Sequence, residues 1–508
     1  MRFMLRVLSG SIVSALCLLA QVPPHPAALR PEIPRMWDDG AMASVELPLA
    51  DPAGSPRFVS SEYYYKIRVR PIFKSYPVYA PGHEPPGYLD WIKRQQPVII
   101  WDDSDHKPRL NTDADWIKAG KLVFDAPTSY DTNSLIRVSD VRDPAWFKYI
   151  GGFAAKDGTI PNVRYVVRKK GQVELGSFAC AFCHTRVMPN GSVLKGAQGN
   201  FPFDRAFAFD IRARNTLQEA RSLQSFLYAA PWLPGNPQVR LEGMTLDEIA
   251  GVHEAIPPGV LARQRSSPFF PVQIPDLIGI KNRRYLDRTG LQQHRSTVDL
   301  MRYAALNQGA DDLATFGSFR PMDLLGQFPS PTDESQSRYS DEQLYALAMY
   351  LYSLQPPPNP NKSDALAVQG QMIFQSEGCA GCHVPPLYTN NMLTPAEGFS
   401  VPEGHRKDYN ILAVSVRTDP NLTTKTRRGT GYYKVPSLKG VWYRGPFEHN
   451  GSVATLEDWF DPRRLRDDYV PTGWKGYEVK TRAVKGHEFG VKLSADDKRA
   501  LIAFLKTL

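Results

Sequence analysis

The sequence has little cysteine, no long hydrophobic run after its first residues and no block of like charge. Five cysteines occur in 508 residues, and beyond residue 20 no stretch reaches the roughly 18 uninterrupted apolar residues that a membrane-spanning helix needs. The net charge of +9 comes from scattered cations, which favours a solvated surface over nucleic-acid binding. With 42% apolar and 22% charged residues, the chain is long enough for two or three globular domains.

The first residues are typical of an export signal. Arg2 and Arg6 form a short basic segment, and residues 7–20 are mostly apolar. This apolar run is too short to span a bilayer as a stable helix. We therefore expect residues 1–28 to be a signal peptide, cleaved after Ala20 or Ala28, and the mature protein to be periplasmic or secreted.

The cysteines that remain after signal removal all lie in two pentapeptides, CAFCH at 180–184 and CAGCH at 379–383. In a C-x-x-C-H motif the two thiols add to the vinyl groups of haem, and the adjacent imidazole becomes an axial ligand of the iron. The motifs therefore predict two covalently bound haem c groups. The predicted attachment residues are Cys180, Cys183, Cys379 and Cys382, with His184 and His383 as axial ligands.

Paired cysteines have two other common uses in proteins. A lone C-x-x-C can be a redox-active pair, and two can form a four-cysteine zinc site. Neither use accounts for a histidine after both motifs, and no strand-then-helix context is predicted around residues 176–178 or 376–378. Haem attachment is therefore favoured.

An internal repeat divides the chain. Residues 120–124 and 370–374 share the pattern G-x-x-apolar-F, and residues 340–354 align without gaps to residues 494–508. Ser340 and Ser494 are expected to cap amphipathic helices that carry a leucine on every turn. Three consecutive prolines from Pro356 to Pro358 end the first half and stiffen a linker.

These signals predict a mainly α fold with two cytochrome c-type haem domains in tandem. The expected domains are an irregular N-terminal extension at 29–114, with strand-like segments at 63–69 and 98–101, a first haem domain at 115–355 and a second at 362–508.

Residues 433–452, followed by 453–458, resemble the P-x-L-[RK]-G/N to H-[ND]-G-S segment of the dihaem cytochrome c peroxidase superfamily, and the tail at 486–490 is most similar to its rubber-oxygenase branch. The resemblance implies an oxidoreductase in which one haem is open to peroxide or dioxygen and the other transfers electrons from a small redox-protein donor. It also implies a calcium ion between the domains, although no carboxylate loop of EF-hand type occurs to hold one.

Counting ligands separates this enzyme from its alternatives, a pure electron-transfer cytochrome with two six-coordinate haems or a redox-sensing module. Met188 lies too near His184 to reach the opposite side of the iron, and the other candidates stand in no ligand motif of the family. We therefore expect an open first haem. These other candidates are Met244, His253, His294, Met301 and Met322. The loop at 275–285 is expected over the distal side or, equally, against haem propionates. Phe316, Phe319 and Phe328 are candidates for the pocket wall, but core packing is favoured for them.

At the second haem the family's methionine position is occupied by Arg463, which cannot bind iron. The free histidines of this half are His405, His449 and His487. His449 belongs to a segment that methionine-ligated relatives also carry, whereas His487 is flanked by Gly486 and Gly490, which allow close backbone approach. We expect His487 to be the second axial ligand, with His449 as the alternative.

Overall fold

The computed structural model describes residues 33–508, except for residues 102–109, 132–134, 264–265 and 327 and the side chain at position 238. The expected signal peptide lies outside the described residues. Residues 33–508 form one compact unit in which helices make up the larger part of the regular structure, so the mainly α class is confirmed. No helix in the described part of the chain combines the length and apolar character that crossing a membrane requires.

Many of the helices are short and separated by loops. In the first part of the chain they are α1 (Asp39–Ala43), α2 (Ser61–Lys66), α3 (Tyr88–Lys93), α4 (Asp113–Asp125), α5 (Val138–Arg142), α6 (Pro144–Ile150) and α7 (Cys180–Cys183). The central ones are α8 (Phe203–Arg214), α9 (Leu217–Tyr228), α10 (Pro237–Glu242), α11 (Leu246–Glu254), α12 (Thr297–Asn307) and α13 (Asp341–Ser353). The last are α14 (Ala365–Ser376), α15 (His405–Asp408), α16 (Asn421–Thr424), α17 (Leu456–Trp459) and α18 (Ala495–Lys506).

The strands form small antiparallel sheets around the helices. A four-stranded sheet has the order β3-β6-β7-β5, and the other strands pair two by two as β1-β14, β2-β4, β8-β9, β10-β11, β12-β13 and β15-β16. The bounds are β1 (Pro56–Arg57), β2 (Ile72–Phe73), β3 (Ser75–Tyr79), β4 (Ile99–Trp101), β5 (Ser129–Tyr130), β6 (Thr159–Val166), β7 (Glu174–Ser177), β8 (Thr185–Val187), β9 (Val193–Lys195), β10 (Val260–Leu261), β11 (Val272–Gln273), β12 (Tyr285–Leu286), β13 (Gln292–Gln293), β14 (Thr315–Phe316), β15 (Leu393–Pro395) and β16 (Tyr432–Lys434).

The sequence repeat corresponds to a repeated helix crossing, of α4 with α13 and of α14 with α18. At the first crossing a Cβ on Gly120 would lie 1.9 Å from the carbonyl oxygen of Ala346. At the second a Cβ on Gly370 would lie 1.9 Å from the carbonyl oxygen of Ala500, the repeat counterpart of Ala346. In both pairs a glycine therefore lets the backbones approach to the same close distance.

Both predicted N-caps are confirmed. The Ser340 hydroxyl accepts from the main-chain N–H of Gln343, and the Ser494 hydroxyl accepts from that of Asp497. Each bond satisfies an N–H that the first helical turn leaves without an intrahelical partner.

The segment expected to be an irregular extension is tied into the structure along its described length. Its strands β1 and β3 pair with β14 and β6, and Trp37 and Tyr64 are buried in the main hydrophobic core. The strand expected at 63–69 is wrong, because Ser60 caps helix α2 and the Tyr64 ring stacks on Trp37 with centroids 4.1 Å apart. Capping and packing outweigh the β preference of the tyrosines.

The expectation that no strand precedes the first cysteine motif is also wrong. Strand β7 ends at Ser177, and helix α7 begins at Cys180. The strands beside β7 run antiparallel to it, so this is not the parallel strand-helix-strand unit of redox-active cysteine pairs. At the second motif Cys379–Gly381 form a 3-10 turn.

Candidate haem-binding sites

The two cysteine motifs open into separate cavities. The Cys180 cavity, of about 460 Å³, is lined by Cys180, Cys183 and His184. The Cys379 cavity, of about 200 Å³, is lined by Cys379, Cys382 and His383. Within the described ranges no three His, Cys, Asp or Glu side chains come together as a metal cluster, so the four motif cysteines are not grouped at one site.

The repeated helices present the same face to both cavities. Leu347 and Leu351 of α13 line the Cys180 cavity. Their repeat counterparts, Leu501 and Leu505 of α18, line the Cys379 cavity. The leucine stripe predicted from the sequence is thus the apolar wall that each helix turns toward its cysteine motif.

Both motif histidines are held in the same way. The His184 Nδ1 lies 3.1 Å from the carbonyl oxygen of Pro275, and the His383 Nδ1 lies 3.0 Å from that of Tyr388. Burial lowers the pKa of each imidazole to about 4, with the charge of His487 as a second cause at His383. A neutral imidazole that donates from Nδ1 to a carbonyl leaves the Nε2 lone pair for a metal.

The environment raises the pKa of all four motif cysteines. Burial raises the pKa of Cys180 to about 12 and that of Cys379 to about 11. Redox-active cysteine pairs require a depressed pKa and an electropositive, partly exposed setting. A thiol pair beside an imidazole at the mouth of an apolar cavity fits covalent haem attachment better.

The wall of the Cys180 cavity provides one imidazole. Among the described residues that line it, His184 is the sole histidine and there is no methionine. The wall also contains Tyr228, but burial raises the pKa of this phenol well above its ordinary value. Binding of iron as a phenolate is therefore disfavoured at Tyr228.

The other ligand candidates of the first half are engaged elsewhere. His253 is buried with Nδ1 2.7 Å from Asp204 and Nε2 3.1 Å from Gln224. His294 has Nδ1 2.8 Å from the Arg283 carbonyl and Nε2 2.7 Å from the Tyr352 hydroxyl. The methionines pack in hydrophobic clusters outside this wall; they are Met188, Met244, Met301 and Met322.

The structure locates the residues that were candidates for the Cys180 wall. The loop at 275–285 does not begin on the distal side, because the Pro275 carbonyl is bound to the ring of His184. Phe316, Phe319 and Phe328 do not line the cavity. Phe316 is buried in the core, the role favoured for it, and stacks on Trp232 with centroids 5.9 Å apart. The phenylalanines that line the cavity are Phe178, Phe203 and Phe207. Of these, only Phe178 lies near the motif in sequence.

In the Cys379 cavity a second imidazole lies near the first. The ring centroids of His383 and His487 are 6.1 Å apart. Two imidazoles on opposite sides of one metal ion, with each nitrogen about 2 Å from the ion, have ring centres roughly 6 Å apart. The spacing therefore fits one iron between them. Trp459 and Phe489 hold the His487 ring edge to face, each at 5.3 Å.

The alternative histidines are less available. His449 also lines the cavity, but its Nδ1 lies 3.0 Å from Glu448 and its Nε2 lies 3.8 Å from Asp419. His405 lies outside the wall, with Nδ1 2.9 Å from the Tyr432 hydroxyl.

A buried arginine fixes the loop that carries His487. The fully buried Arg464 donates to the carbonyl oxygens of Trp459, Val484, Gly486 and His487 at 2.6 to 3.0 Å. His487 itself has a left-handed backbone with φ +47°, an unfavourable conformation for a residue with a side chain. The neighbouring Arg463, at the family's methionine position, is 77% exposed and pairs with Asp461.

Comparisons with known proteins point to c-type cytochromes and cytochrome-c peroxidases. A family model described as RoxA-like, cytochrome c-like, matches residues 431–470. The cytochrome-c peroxidase IdrP1 of Pseudomonas sp. (strain SCT) is 28% identical over 29% of this chain and 41% of its own. The cytochrome-c peroxidase IdrP2 of Denitromonas iodatirespirans is 28% identical over 27% of this chain and 38% of its own. The chain thus matches less than half the length of either relative.

One solved structure, the diheme peroxidase BthA of Burkholderia thailandensis, aligns with 84% of this chain and 94% of its own at 14% identity, but its TM-score of 0.25 establishes no shared fold. An imidazole beside paired thiols at an apolar cavity, together with the matched segment, defines a c-type cytochrome with covalently bound haem. Within that class, the matched segment and the cytochrome-c peroxidase relatives support a dihaem cytochrome c peroxidase-like superfamily.

Proposed function

We propose that this protein is an exported dihaem oxidoreductase that reduces hydrogen peroxide in the Cys180 cavity and receives electrons through the Cys379 cavity. The observation that carries the proposal is the difference between the two walls. The Cys180 cavity presents His184 without a second histidine or a methionine among its described residues, whereas the Cys379 cavity presents His383 and His487 at 6.1 Å. An iron with one protein ligand can bind an oxidant, and an iron with two is suited to electron transfer.

Each haem in this proposal is held by residues of one half of the chain. Cys180, Cys183 and His184 hold the first haem in a domain at 115–355. Cys379, Cys382, His383 and His487 hold the second in a domain at 362–508. Support comes from the repeated crossings of α4 with α13 and of α14 with α18, which give each cysteine motif its own apolar wall.

The overall reaction requires two electrons. One hydrogen peroxide accepts two electrons and two protons, its oxygen–oxygen bond breaks, and two waters form. Reduction of peroxide at an iron with a free coordination position is the chemistry that the bound haem supplies. A small reduced redox protein would provide the electrons, one at a time, through the haem at His383.

This chain's residues orient the groups and exclude water. The Pro275 carbonyl fixes the His184 ring so that Nε2 faces the cavity. The leucine and phenylalanine wall keeps solvent away from the reacting side, which strengthens the electrostatic interactions within it. The fixed Arg464 and the rings of Trp459 and Phe489 keep His487 in position at the second cavity.

An EPR spectrum of the oxidised holoprotein, combined with peroxide turnover, tests the proposal. We expect one high-spin and one low-spin ferric signal, two c-type haems per chain by pyridine haemochrome, and loss of turnover in His184→Ala with the low-spin signal retained. Two low-spin signals would instead indicate the electron-transfer cytochrome. Turnover of dioxygen without turnover of peroxide would show that dioxygen is the oxidant in place of peroxide. A mass that retains residues 1–20 in protein expressed with the haem-ligation machinery would contradict export.

A further inference from the structure

A group of buried and half-buried cations adjoins both cavities. Arg283, Arg288, Lys434 and Arg444 line a small chamber whose wall contains one carboxylate, that of Asp276. We call this group the cationic chamber. Its free space is about 20 Å³, enough for one small polar group and far too little for a drug-sized ligand.

The cations of the chamber are mostly paired with neutral oxygens. Arg283 donates to the carbonyls of Asp276 and Ile278, and Arg444 donates to that of Ser437 at 2.8 Å. The Arg444 Nε is buried without a hydrogen-bond partner, and it lies 4.0 Å from Asp276. The Arg444 side chain is 8% exposed, so this unsatisfied donor is a buried polar group that carries a desolvation cost.

The cations also repel one another. Burial and the charges of Arg283 and Arg288 lower the pKa of Lys434 well below its ordinary value, although the nearby Asp287 acts in the opposite direction. Burial, Arg444 and Arg283 lower the pKa of Arg288 to about 9. Buried like charges are costly unless an anion balances them.

The position of the chamber indicates where that anion comes from. Six residues of the chamber also line the Cys379 cavity, whereas Pro275 is shared with the Cys180 cavity. The six shared residues are Arg288, Lys434, Val435, Pro436, Ser437 and Arg444. A carboxylate attached to a group in the Cys379 cavity would therefore reach the chamber directly.

We infer that the cationic chamber binds a propionate carboxylate of the haem at His383, and that its positive charge raises the reduction potential of that haem. The inference rests on the proposed function only in requiring a haem at Cys379 and Cys382. Cations near a haem favour its reduced form, because reduction removes one positive charge from the iron. The chamber would thereby help this haem to accept an electron from a donor.

Spectroelectrochemical titration of holoprotein variants tests this inference. Lys434→Gln should shift the midpoint potential of the low-spin haem downward, and Lys434→Arg should retain most of the wild-type value. Lys439→Gln is the matched control, because Lys439 is exposed and lies over the Tyr388 ring at 5.3 Å, where solvent screens its charge. Equal shifts in Lys434→Gln and Lys439→Gln, or no shift in Lys434→Gln, would overturn the inference.

A free anion, such as a carboxylate or phosphate, could bind the cationic chamber in place of the tethered propionate. The wild-type titration is therefore repeated with increasing inorganic phosphate at constant ionic strength. A potential independent of phosphate supports the tethered propionate, and a saturable phosphate dependence that Lys434→Gln abolishes would overturn it. The resonance Raman band of propionate bending gives a second readout, which should shift in Arg288→Gln and remain unchanged in Lys439→Gln. A holoprotein with one haem by pyridine haemochrome would instead contradict the proposed function.

Discussion

The Arg464 guanidinium donates to the main-chain carbonyl of His487 at 2.8 Å and to that of Gly486 at 3.0 Å. These bonds hold a backbone that no regular helix or strand supports at His487. A planar guanidinium can serve several carbonyls at once, whereas a lysine ammonium in its place cannot reproduce this fork. The position of the proposed second ligand therefore depends on a residue of a different loop.

We expect Arg464→Lys to convert part of the low-spin haem to high spin, because the His487 loop loses fixed hydrogen bonds. Arg463→Lys is the matched control, since the adjacent arginine is exposed and should leave the EPR spectrum unchanged. Added imidazole should restore the low-spin signal in Arg464→Lys. A fully low-spin second haem in this variant, with normal haem content, would show that the loop is positioned without the arginine.

The choice between His487 and His449 is tested by paired substitutions. His487→Ala should turn the second haem high-spin, because it removes the imidazole that lies 6.1 Å from His383. His449→Ala should retain the low-spin signal, since its ring is engaged with Glu448. The wild-type ferric spectrum should also lack the sulfur-to-iron band near 695 nm that a methionine-ligated haem shows. The reverse pattern in the two variants would assign the ligand to His449.

Short-range sequence signals predicted part of this structure. The cysteine motifs and the capped helices at Ser340 and Ser494 depend on residues a few positions apart, so pattern and spacing predict them. The strand expected around Tyr64 failed because Ser60 caps a helix there and Trp37, far back in the chain, supplies a stacking partner. Tertiary packing decided the local structure.

The cavity walls could not be predicted in the same way. Phe203 and Phe207 reach the Cys180 cavity from helix α8, and Arg288 and Arg444 meet at the cationic chamber from distant loops. No periodicity links such residues, because their proximity results from how the loops fold over the helices. The sequence did predict one residue of the Cys379 cavity that lies far from the cysteine motif, His487. Its flanking glycines and the lack of a methionine at position 463 led to that prediction.

A buried ionic group connects three distant segments, and its removal should destabilise the protein. Arg428 is fully buried and binds Glu46, from the N-terminal segment, and Asp311, which lines the Cys180 cavity. Arg428→Met removes the cation that two buried carboxylates share, and breaking a buried ion pair typically costs about 3–5 kcal/mol. We expect a large loss in the free energy of unfolding by urea titration, partly recovered when Glu46→Gln and Asp311→Asn are added. Arg466→Met, at an exposed pair with Asp468, should unfold like the wild type.

The repeated helix crossings give the last prediction, because each excludes even a single methyl group. In Gly120→Ala the new Cβ would lie 1.9 Å from the Ala346 carbonyl oxygen, and in Gly370→Ala it would lie 1.9 Å from that of Ala500. These oxygens are main-chain atoms of helices, so the clash is relieved only if the helices separate. Overpacking of this kind costs about 1–3 kcal/mol or more, which exceeds the roughly 1 kcal/mol that alanine gains over glycine in a helix.

We therefore expect both variants to unfold at lower temperature than the wild type. Gly243→Ala is the control, because its nearest contact would be the Arg240 carbonyl at 3.8 Å, an ordinary distance. If each crossing supports its own cavity, Gly120→Ala should perturb the high-spin haem at His184 first, and Gly370→Ala should perturb the low-spin haem at His383. Thermal melts followed at absorption bands of the two spin states separate these effects. Wild-type melting of both variants would mean that the helices accommodate the methyl group, and the close glycine contacts would then not support the cavities.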